Sequence, residues 1–167
     1  MNKKALALLA ALATLYLGVS ALHGAENKII WLDELNLSSA TAGWGETQAR
    51  KSVEKKPLTL RGKVYERGIG THPPAGLRVD LDKRGVRFKT TVGIDDEVGG
   101  QGSVEFQVMG GGKKLWSSGV VKGKDEPKPC DIDLTGIQLL DLIVDTTPDG
   151  YAFDNPHFPA LRSGRRI

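Results

Sequence analysis

Alternation of apolar and polar residues with a period of two is the feature that most constrains the fold of this chain. In residues 87–94, for example, Phe88, Val92 and Ile94 share one face. Half-buried β-strands have this pattern, and no stretch after residue 25 shows the 3.6-residue period of an amphipathic helix. Glycine-rich turn signals separate the alternating stretches. The sequence therefore predicts an all-β protein, an antiparallel β-sandwich. The alternating stretches are 77–81, 87–94, 104–108 and 140–145.

Residues 1–25 have the pattern of a secretory signal peptide. Lys3 and Lys4 precede an apolar run over residues 5–19, and small residues that suit cleavage follow it. A membrane anchor, the alternative, needs about 20 apolar residues. We expect cleavage and a secreted or periplasmic protein with no membrane association afterwards. The remaining chain is predicted to be one domain, residues 26–162, with a frayed tail at 163–167.

The charge of the mature chain argues against nucleic acid as a partner. Loss of Lys3 and Lys4 leaves 21 Lys and Arg residues against 20 Asp and Glu residues, a net charge of +1. No basic stripe interleaves with aromatic residues, as a nucleic-acid surface would require.

The single cysteine, Cys130, excludes a disulfide within the chain. Alternation places Cys130 on one face with Ile132 and Leu134, so we expect a buried, packed thiol rather than a nucleophile.

Three consecutive acids, Asp95, Asp96 and Glu97, end an apolar strand between glycines. Carboxylates in such a position suit a hard cation such as calcium, and they also accept hydrogen bonds from sugar hydroxyls. A solvated acidic turn is the alternative. We expect a structural calcium held by Asp95 and Asp96, with Asp149 and Asp154 as further ligands.

His72 and Trp44 are the other candidate binding residues. His72 follows a Gly-Ile-Gly-Thr bend and precedes two prolines, which fixes its position, and Trp44 lies between two glycines that allow it to be presented to a sugar ring. Trp31 and Trp116 fall in apolar strands and are expected in the core. We predict carbohydrate binding through Trp44, His72, Asp96 and Glu97.

Signatures of catalysis are poorly represented. The chain contains no H-x-x-H or H-E-x-x-H motif and no G-x-S-x-G elbow. We therefore expect no enzyme, although a small hydrolase that uses Asp96 or Glu97 with His72 is a minor alternative.

An ordered set of motifs from residue 30 to residue 161 resembles the NPCBM family of carbohydrate-binding modules. The resemblance implies a galactose-binding-like jelly roll that is non-catalytic, binds galactose-containing glycans, is attached to or partnered by a glycoside hydrolase, and often holds a structural calcium. The motifs are Trp31-Leu32-Asp33-Glu34-Leu35, Ser39-Ala40, Gly43-Trp44-Gly45, Leu58-Thr59-Leu60 with Tyr65, Gly68-Ile69-Gly70-Thr71-His72, Val92-Gly93-Ile94-Asp95-Asp96-Glu97, Gly102-Ser103-Val104 with Phe106, Ser118-Gly119-Val120 and Asp149-Gly150.

The C-terminal end departs from the family pattern. Members typically read D-H-A-D-W, where this chain has Asp154-Asn155-Pro156-His157-Phe158. This change affects ligand preference if the segment shapes the sugar site. The alternative function is therefore a protein-interaction or structural β-sandwich domain that has lost sugar binding.

Overall fold

The structure, a computed structural model, describes the backbone of residues 14–17 and all of residues 28–147. Helical structure in these residues is limited to two single-turn 3₁₀ helices, Leu32–Glu34 and Asp96–Val98. None of the described helices is long and apolar enough to cross a bilayer. The described strands are β1 (Thr14–Leu17), β2 (Lys28–Trp31), β3 (Gln48–Ala49), β4 (Leu58–Leu60), β5 (Lys63–Tyr65), β6 (Ile69–Gly70), β7 (Ala75–Asp80), β8 (Gly85–Val92), β9 (Ser103–Gly110), β10 (Lys113–Lys122), β11 (Lys128–Asp133) and β12 (Leu139–Thr146).

Two four-stranded antiparallel sheets form the body of the protein. The first has the strand order β11-β8-β1-β2 and the second the order β10-β9-β12-β7. Two short ribbons, β3 with β6 and β4 with β5, lie outside these sheets. The non-sequential neighbours mean that the chain crosses repeatedly between the layers, as in a jelly roll. The predicted antiparallel β-sandwich is confirmed.

The core lies between the two sheets and follows the alternation in the sequence. Phe88 and Cys130 come from the first sheet, Phe106 and Leu140 come from the second, and all four belong to one buried cluster. Burying a phenylalanine side chain contributes about 1.5–3 kcal/mol relative to leaving it in water. The predicted inward faces are therefore the ones that hold the layers together.

The thiol of Cys130 is packed in this core, as expected. Burial, with a smaller effect of the neighbouring Asp131 charge, raises the pKa of the Cys130 thiol to about 12. A thiol of this kind is a poor nucleophile, because the thiolate is the reactive form.

The two strand tryptophans are half-buried rather than fully enclosed. Trp116 packs against the main cluster. The guanidinium of Arg67 lies over the Trp31 ring, 5.0 Å from its centroid. This cation–π contact covers the part of the Trp31 ring that the core does not enclose.

The backbone of β1 lies in the middle of the first sheet. It pairs with β2 through the register Tyr16↔Ile29 and with β8 through Tyr16↔Arg87. The four residues of β1, Thr14–Leu17, fall within the predicted signal peptide. The expected cleavage after residue 25 and the domain limits at 26–162 stay predictions, and the tail at 163–167 lies outside the described residues.

Candidate functional site

The candidate site is built on an irregular ribbon in which residues 41–49 run antiparallel to residues 69–76; we call it the site ribbon. At one end Thr41 and Gly76 exchange two backbone hydrogen bonds of 2.8 and 3.2 Å. At the other end β3 pairs with β6. The glycines of the bend allow these two segments to approach closely. The two stretches that the sequence singled out, around Trp44 and around His72, are therefore neighbours.

Trp44 and His72 meet in the middle of the site ribbon. Their ring centroids lie 6.1 Å apart with an interplanar angle of 71°, an edge-to-face arrangement. The Gly43 amide donates to the His72 carbonyl at 2.9 Å and holds the two segments in register. Trp44 is 43% exposed and His72 only 6%. Trp44 is thus the accessible partner, and His72 lies behind it.

The His72 ring has a defined hydrogen bond on one side. Its Nδ1 lies 2.7 Å from the Pro73 carbonyl oxygen. A carbonyl can only accept, so Nδ1 carries a proton, and Nε2 is the acceptor in the neutral ring. This bond fixes the orientation of the ring that Trp44 contacts.

A buried carboxylate that the sequence did not reveal anchors both strands of the ribbon. Asp33 accepts hydrogen bonds from Arg50, which follows β3, and from Arg67 at 3.1 Å, which precedes β6. Arg67 also donates to Glu34 at 2.7 Å. The contacts join residues 17 to 34 positions apart, and no local motif predicts such pairs.

Asp95 ties the acidic stretch to the β4–β5 hairpin. Its carboxylate, 1% exposed, accepts from the Thr59 amide at 2.9 Å, the Thr59 hydroxyl at 3.1 Å and the Glu97 amide at 2.9 Å. The last of these bonds caps the 3₁₀ helix Asp96–Val98. Burial raises the pKa of Asp95, and the hydrogen bonds from Thr59 and Glu97 partly oppose this. Asp95 therefore has a structural role in this fold.

Asp96 holds the turn of the same hairpin. One of its oxygens accepts from the Arg61 amide at 2.9 Å and the other from the Gly62 amide at 2.6 Å. Each carboxylate oxygen can accept two hydrogen bonds, so Asp96 keeps acceptor capacity for a ligand.

Glu97 is enclosed, unlike a carboxylate on a solvated turn. Its side chain is 7% exposed, and the Lys56 ammonium lies 3.5 Å from one of its oxygens. Burial raises the pKa of Glu97, while the nearby Ser52 hydroxyl and the Lys56 charge lower it. Ser52 precedes Val53, whose side chain lies against Gly45 of the site ribbon. Glu97 is thus connected to the Trp44 loop through a chain of contacts.

The predicted calcium ligands are only partly described. Asp149 and Asp154 lie outside the described residues. Among residues 28–147, no group of three or more His, Cys, Asp and Glu side chains is placed to hold a metal ion. The calcium site stays a prediction.

A small cavity at the site ribbon is lined by Thr41, Thr47 and Thr71 and by apolar side chains of the core. It has room for about one water molecule, which is far too little for a pyranose ring. Any sugar at this site must therefore bind on the surface, where Trp44 is exposed.

The buried acids make stability depend on pH in a defined direction. A folded-state pKa of Glu97 above its ordinary value of 4.5 means that the folded protein binds this proton more tightly than the unfolded chain. The stability that this tighter proton binding adds is fully present below the ordinary pKa of Glu97, and it is lost as the pH rises through the raised pKa. We expect the free energy of unfolding of the wild type, relative to Glu97→Gln, to fall as the pH rises above 4.5, the ordinary pKa of this carboxyl group. Urea unfolding of both proteins at a series of pH values on either side of 4.5 checks this, and a difference that rises with pH would contradict it.

Comparison with known proteins agrees with the fold and the motifs. The family model of the NPCBM/NEW2 domain matches residues 28–162. Alpha-1,3-galactosidase B of Akkermansia muciniphila is 38% identical over 115 residues, which cover 66% of this chain and 14% of that protein. The chain thus spans about a seventh of the length of this curated relative.

Two solved structures from Clostridium perfringens are similar in fold. One is the CBM51 from GH95 in complex with methyl-galactose, with a TM-score of 0.66, 31% identity, and coverage of 72% of this chain and 88% of that chain. The other contains CBM51-2 in complex with GlcNAc and INT domains from ZmpB, with a TM-score of 0.67, 23% identity, and coverage of 86% and 34%. The second likeness bears on the fold alone.

Proposed function

The chain belongs to the NPCBM/NEW2 family, and we propose that it binds galactose-type glycans at the site ribbon, with Trp44 as the contact surface, and does not cleave them. The observation that carries this proposal is the exposed Trp44 held edge-to-face against the buried His72. The methyl-galactose complex of a domain 31% identical to this one, and the similarity to an alpha-1,3-galactosidase, support galactose as the sugar class.

The division of work between the two rings follows from their exposure. An indole face can cover the C–H face of a pyranose. Hydrogen bonds to the sugar hydroxyls largely replace hydrogen bonds to water and contribute little net free energy, so the apolar contact supplies most of the binding free energy. His72 is too enclosed to share that contact, so it acts by fixing the indole. Asp96 retains acceptor capacity for hydroxyl groups. Glu97 supports the loop from below.

Calorimetry with methyl-galactose tests the proposal. We expect Trp44→Ala to weaken binding by about 1.5–3 kcal/mol, roughly 10- to 150-fold, because it removes the large apolar surface that the sugar covers. His72→Ala should weaken binding through the released indole, with a smaller effect for Trp44→Phe. Val64→Ala is the matched control, because Val64 is another exposed apolar side chain, on β5.

Two results would redirect the proposal. Unchanged binding in both Trp44→Ala and His72→Ala would move the site elsewhere on the domain. No binding of the wild type to any glycan would favour the alternative, a protein-interaction or structural domain.

The absence of catalysis is part of the proposal. Glycoside hydrolysis uses two carboxyl groups that flank an open site. Of the two carboxyl groups in the hydrolase alternative, Glu97 is enclosed, and Asp96 is engaged by the Arg61 and Gly62 amides. Turnover of aryl glycosides by the wild type, lost in Glu97→Gln, would revive the hydrolase alternative.

Calcium is a separate proposal that rests on the acids at strand ends. Asp96, with its remaining acceptor sites, and the residues Asp149 and Asp154 would supply ligands, while Asp95 is engaged with Thr59 and Glu97. A cation bound only by the folded state, at a hundredfold excess over its Kd, stabilises by about 2.7 kcal/mol. Chelator should then lower the melting temperature by several degrees, and an unchanged Tm with no metal in elemental analysis would exclude calcium.

We further propose that the domain acts outside the cytoplasm and directs an attached or associated glycoside hydrolase to its substrate. The support is the predicted signal peptide and the small share of the galactosidase relative that this domain covers. N-terminal sequencing of protein recovered from an exporting host tests export, and intact Met1 in a membrane fraction would contradict it.

A further inference from the structure

Residues 34–38 form a loop that leads from the first 3₁₀ helix towards the site ribbon. Leu35 has the extended backbone angles φ −77° and ψ 159°. Leu35 and Leu37 are half-buried and pack against the main cluster, whereas Glu34, Asn36 and Ser38 are exposed. Successive side chains of an extended segment point to opposite sides. The two leucines therefore anchor the loop, and the three polar side chains between and beside them face solvent.

Asn36 and Ser38 have the spacing of an acceptor site for N-linked glycosylation, N-x-S/T with a residue other than proline in the middle. The chain has four asparagines, and only Asn36 stands in this context, since Asn155 is followed directly by Pro156. A motif of three residues also arises by chance. Its weight here comes from the exposure of both residues on one loop.

The carboxamide of Asn36 is oriented by its own loop. Its Oδ1 accepts a hydrogen bond from the Ser38 amide at 2.9 Å, which forms an Asx turn. An N–H can only donate, so the accepting atom is the oxygen, and Nδ2 is the other end of the group. Within residues 28–147, no group accepts a hydrogen bond from this nitrogen. The Asn36 Nδ2 is therefore open to a reagent from solvent.

We propose that Asn36 is an acceptor for an N-linked glycan once the chain has left the cytoplasm. The inference rests on the export proposed above and not on galactose binding. The donor is a glycan carried on a polyprenyl diphosphate. The Asn36 Nδ2 forms a bond to C1 of the first sugar and loses a proton. The bond between C1 and the diphosphate oxygen breaks, and the polyprenyl diphosphate leaves with that electron pair.

Glu34 places a negative charge on the exposed side of the loop, two residues before Asn36. Its side chain is 45% exposed and accepts a hydrogen bond from Arg67 at 2.7 Å. An ion pair with this exposure is weak. The Glu34 carboxylate is therefore available to a basic group of the enzyme that transfers the glycan.

Transfer in vitro to the folded chain 1–167 tests the proposal without requiring export. The reagents are a polyprenyl-diphosphate glycan and a purified bacterial N-oligosaccharyltransferase that selects an acid two residues before the asparagine. We expect one glycan per chain, located by mass spectrometry on the tryptic peptide 29–50, which contains no other asparagine. The rate should lie within about tenfold of the rate for the isolated peptide 29–50, because the folded loop already exposes Asn36.

Substitutions in the loop identify the groups that the transfer uses. Asn36→Gln and Ser38→Ala should abolish transfer, Ser38→Thr should retain it because it keeps a hydroxyl, and Glu34→Gln should lower it. Ser39→Ala is the matched control, because Ser39 is an exposed serine outside the motif.

Three results would overturn the proposal. The first is transfer to the isolated peptide 29–50 but not to the folded chain, and the second is transfer that persists in Asn36→Gln. The third is no transfer to either substrate while a standard acceptor peptide is modified in the same reaction. Failure of export would be seen separately, in the N-terminal sequencing described above.

Discussion

Replacement of Asp95 by alanine is expected to destabilise the domain by about 3–4 kcal/mol. The carboxylate is buried and accepts three hydrogen bonds, two from Thr59 and one from the Glu97 amide. Hydrogen bonds to a charged group contribute about 1.5–3 kcal/mol each and do not add fully. The cost of burying the carboxylate, which raises its pKa, offsets part of the sum. Urea unfolding at neutral pH measures the change.

Asp96→Ala is the matched control for this experiment. Asp96 also accepts two backbone amides of the β4–β5 hairpin, Arg61 and Gly62, but these bonds are exposed. Water can replace an exposed acceptor, so we expect a loss of only about 1 kcal/mol. Equal losses in the two variants would show that Asp95 is not the specific attachment point of the hairpin.

The layers of the sandwich could be predicted because burial has a local signature in strands. Phe88 and Val92 in β8, and Leu140 and Val144 in β12, lie on the faces that alternation assigns to the core. Period-two alternation records which side of a strand is buried, and it needs no knowledge of the partner strand.

The contacts of the site could not be predicted from the sequence, because they join residues far apart in the chain. Asp95 and Asp96 looked like free ligands, yet their partners in the hairpin lie 34 to 36 residues away. Spacing in the chain gives no information on such pairs. The glycines and prolines beside Trp44 and His72 mark each of them separately as a candidate binding residue, and their contact is visible only in three dimensions.

The role of Asp33 in joining the two strands of the site ribbon also could not be predicted from the sequence. Neither Asp33 nor its partners Arg50 and Arg67 stand in a recognisable motif for charge pairing. The buried carboxylate is nevertheless placed where it joins the two strands of the site ribbon. Its role follows from the fold, since the first 3₁₀ turn brings Asp33 to the point where β3 ends and β6 begins.

Replacement of Gly43 by alanine is expected to disrupt the site ribbon and to weaken galactose binding together with stability. A Cβ atom at Gly43 would lie 2.3 Å from the Pro73 carbonyl oxygen and 2.7 Å from Pro74 Cδ, closer than real side chains approach. The obstructing atoms are backbone and a proline ring, which cannot rotate away. Overpacking of this kind costs about 1–3 kcal/mol.

The expected loss of galactose binding follows from displacement of the Pro73 carbonyl oxygen. The Pro73 carbonyl that a Gly43 side chain would displace is the acceptor that orients the His72 ring, and His72 supports Trp44. Gly76→Ala is the matched control in the same ribbon, because its Cβ would meet nothing nearer than the Thr41 hydroxyl at 3.4 Å. We expect Gly76→Ala to stay within about 0.5 kcal/mol of the wild type in stability, as substitutions with room usually do, and to bind methyl-galactose unchanged. Calorimetry and urea unfolding of both variants decide the matter. If Gly43→Ala binds as tightly as Gly76→Ala, the geometry of the Trp44 and His72 pair does not control recognition.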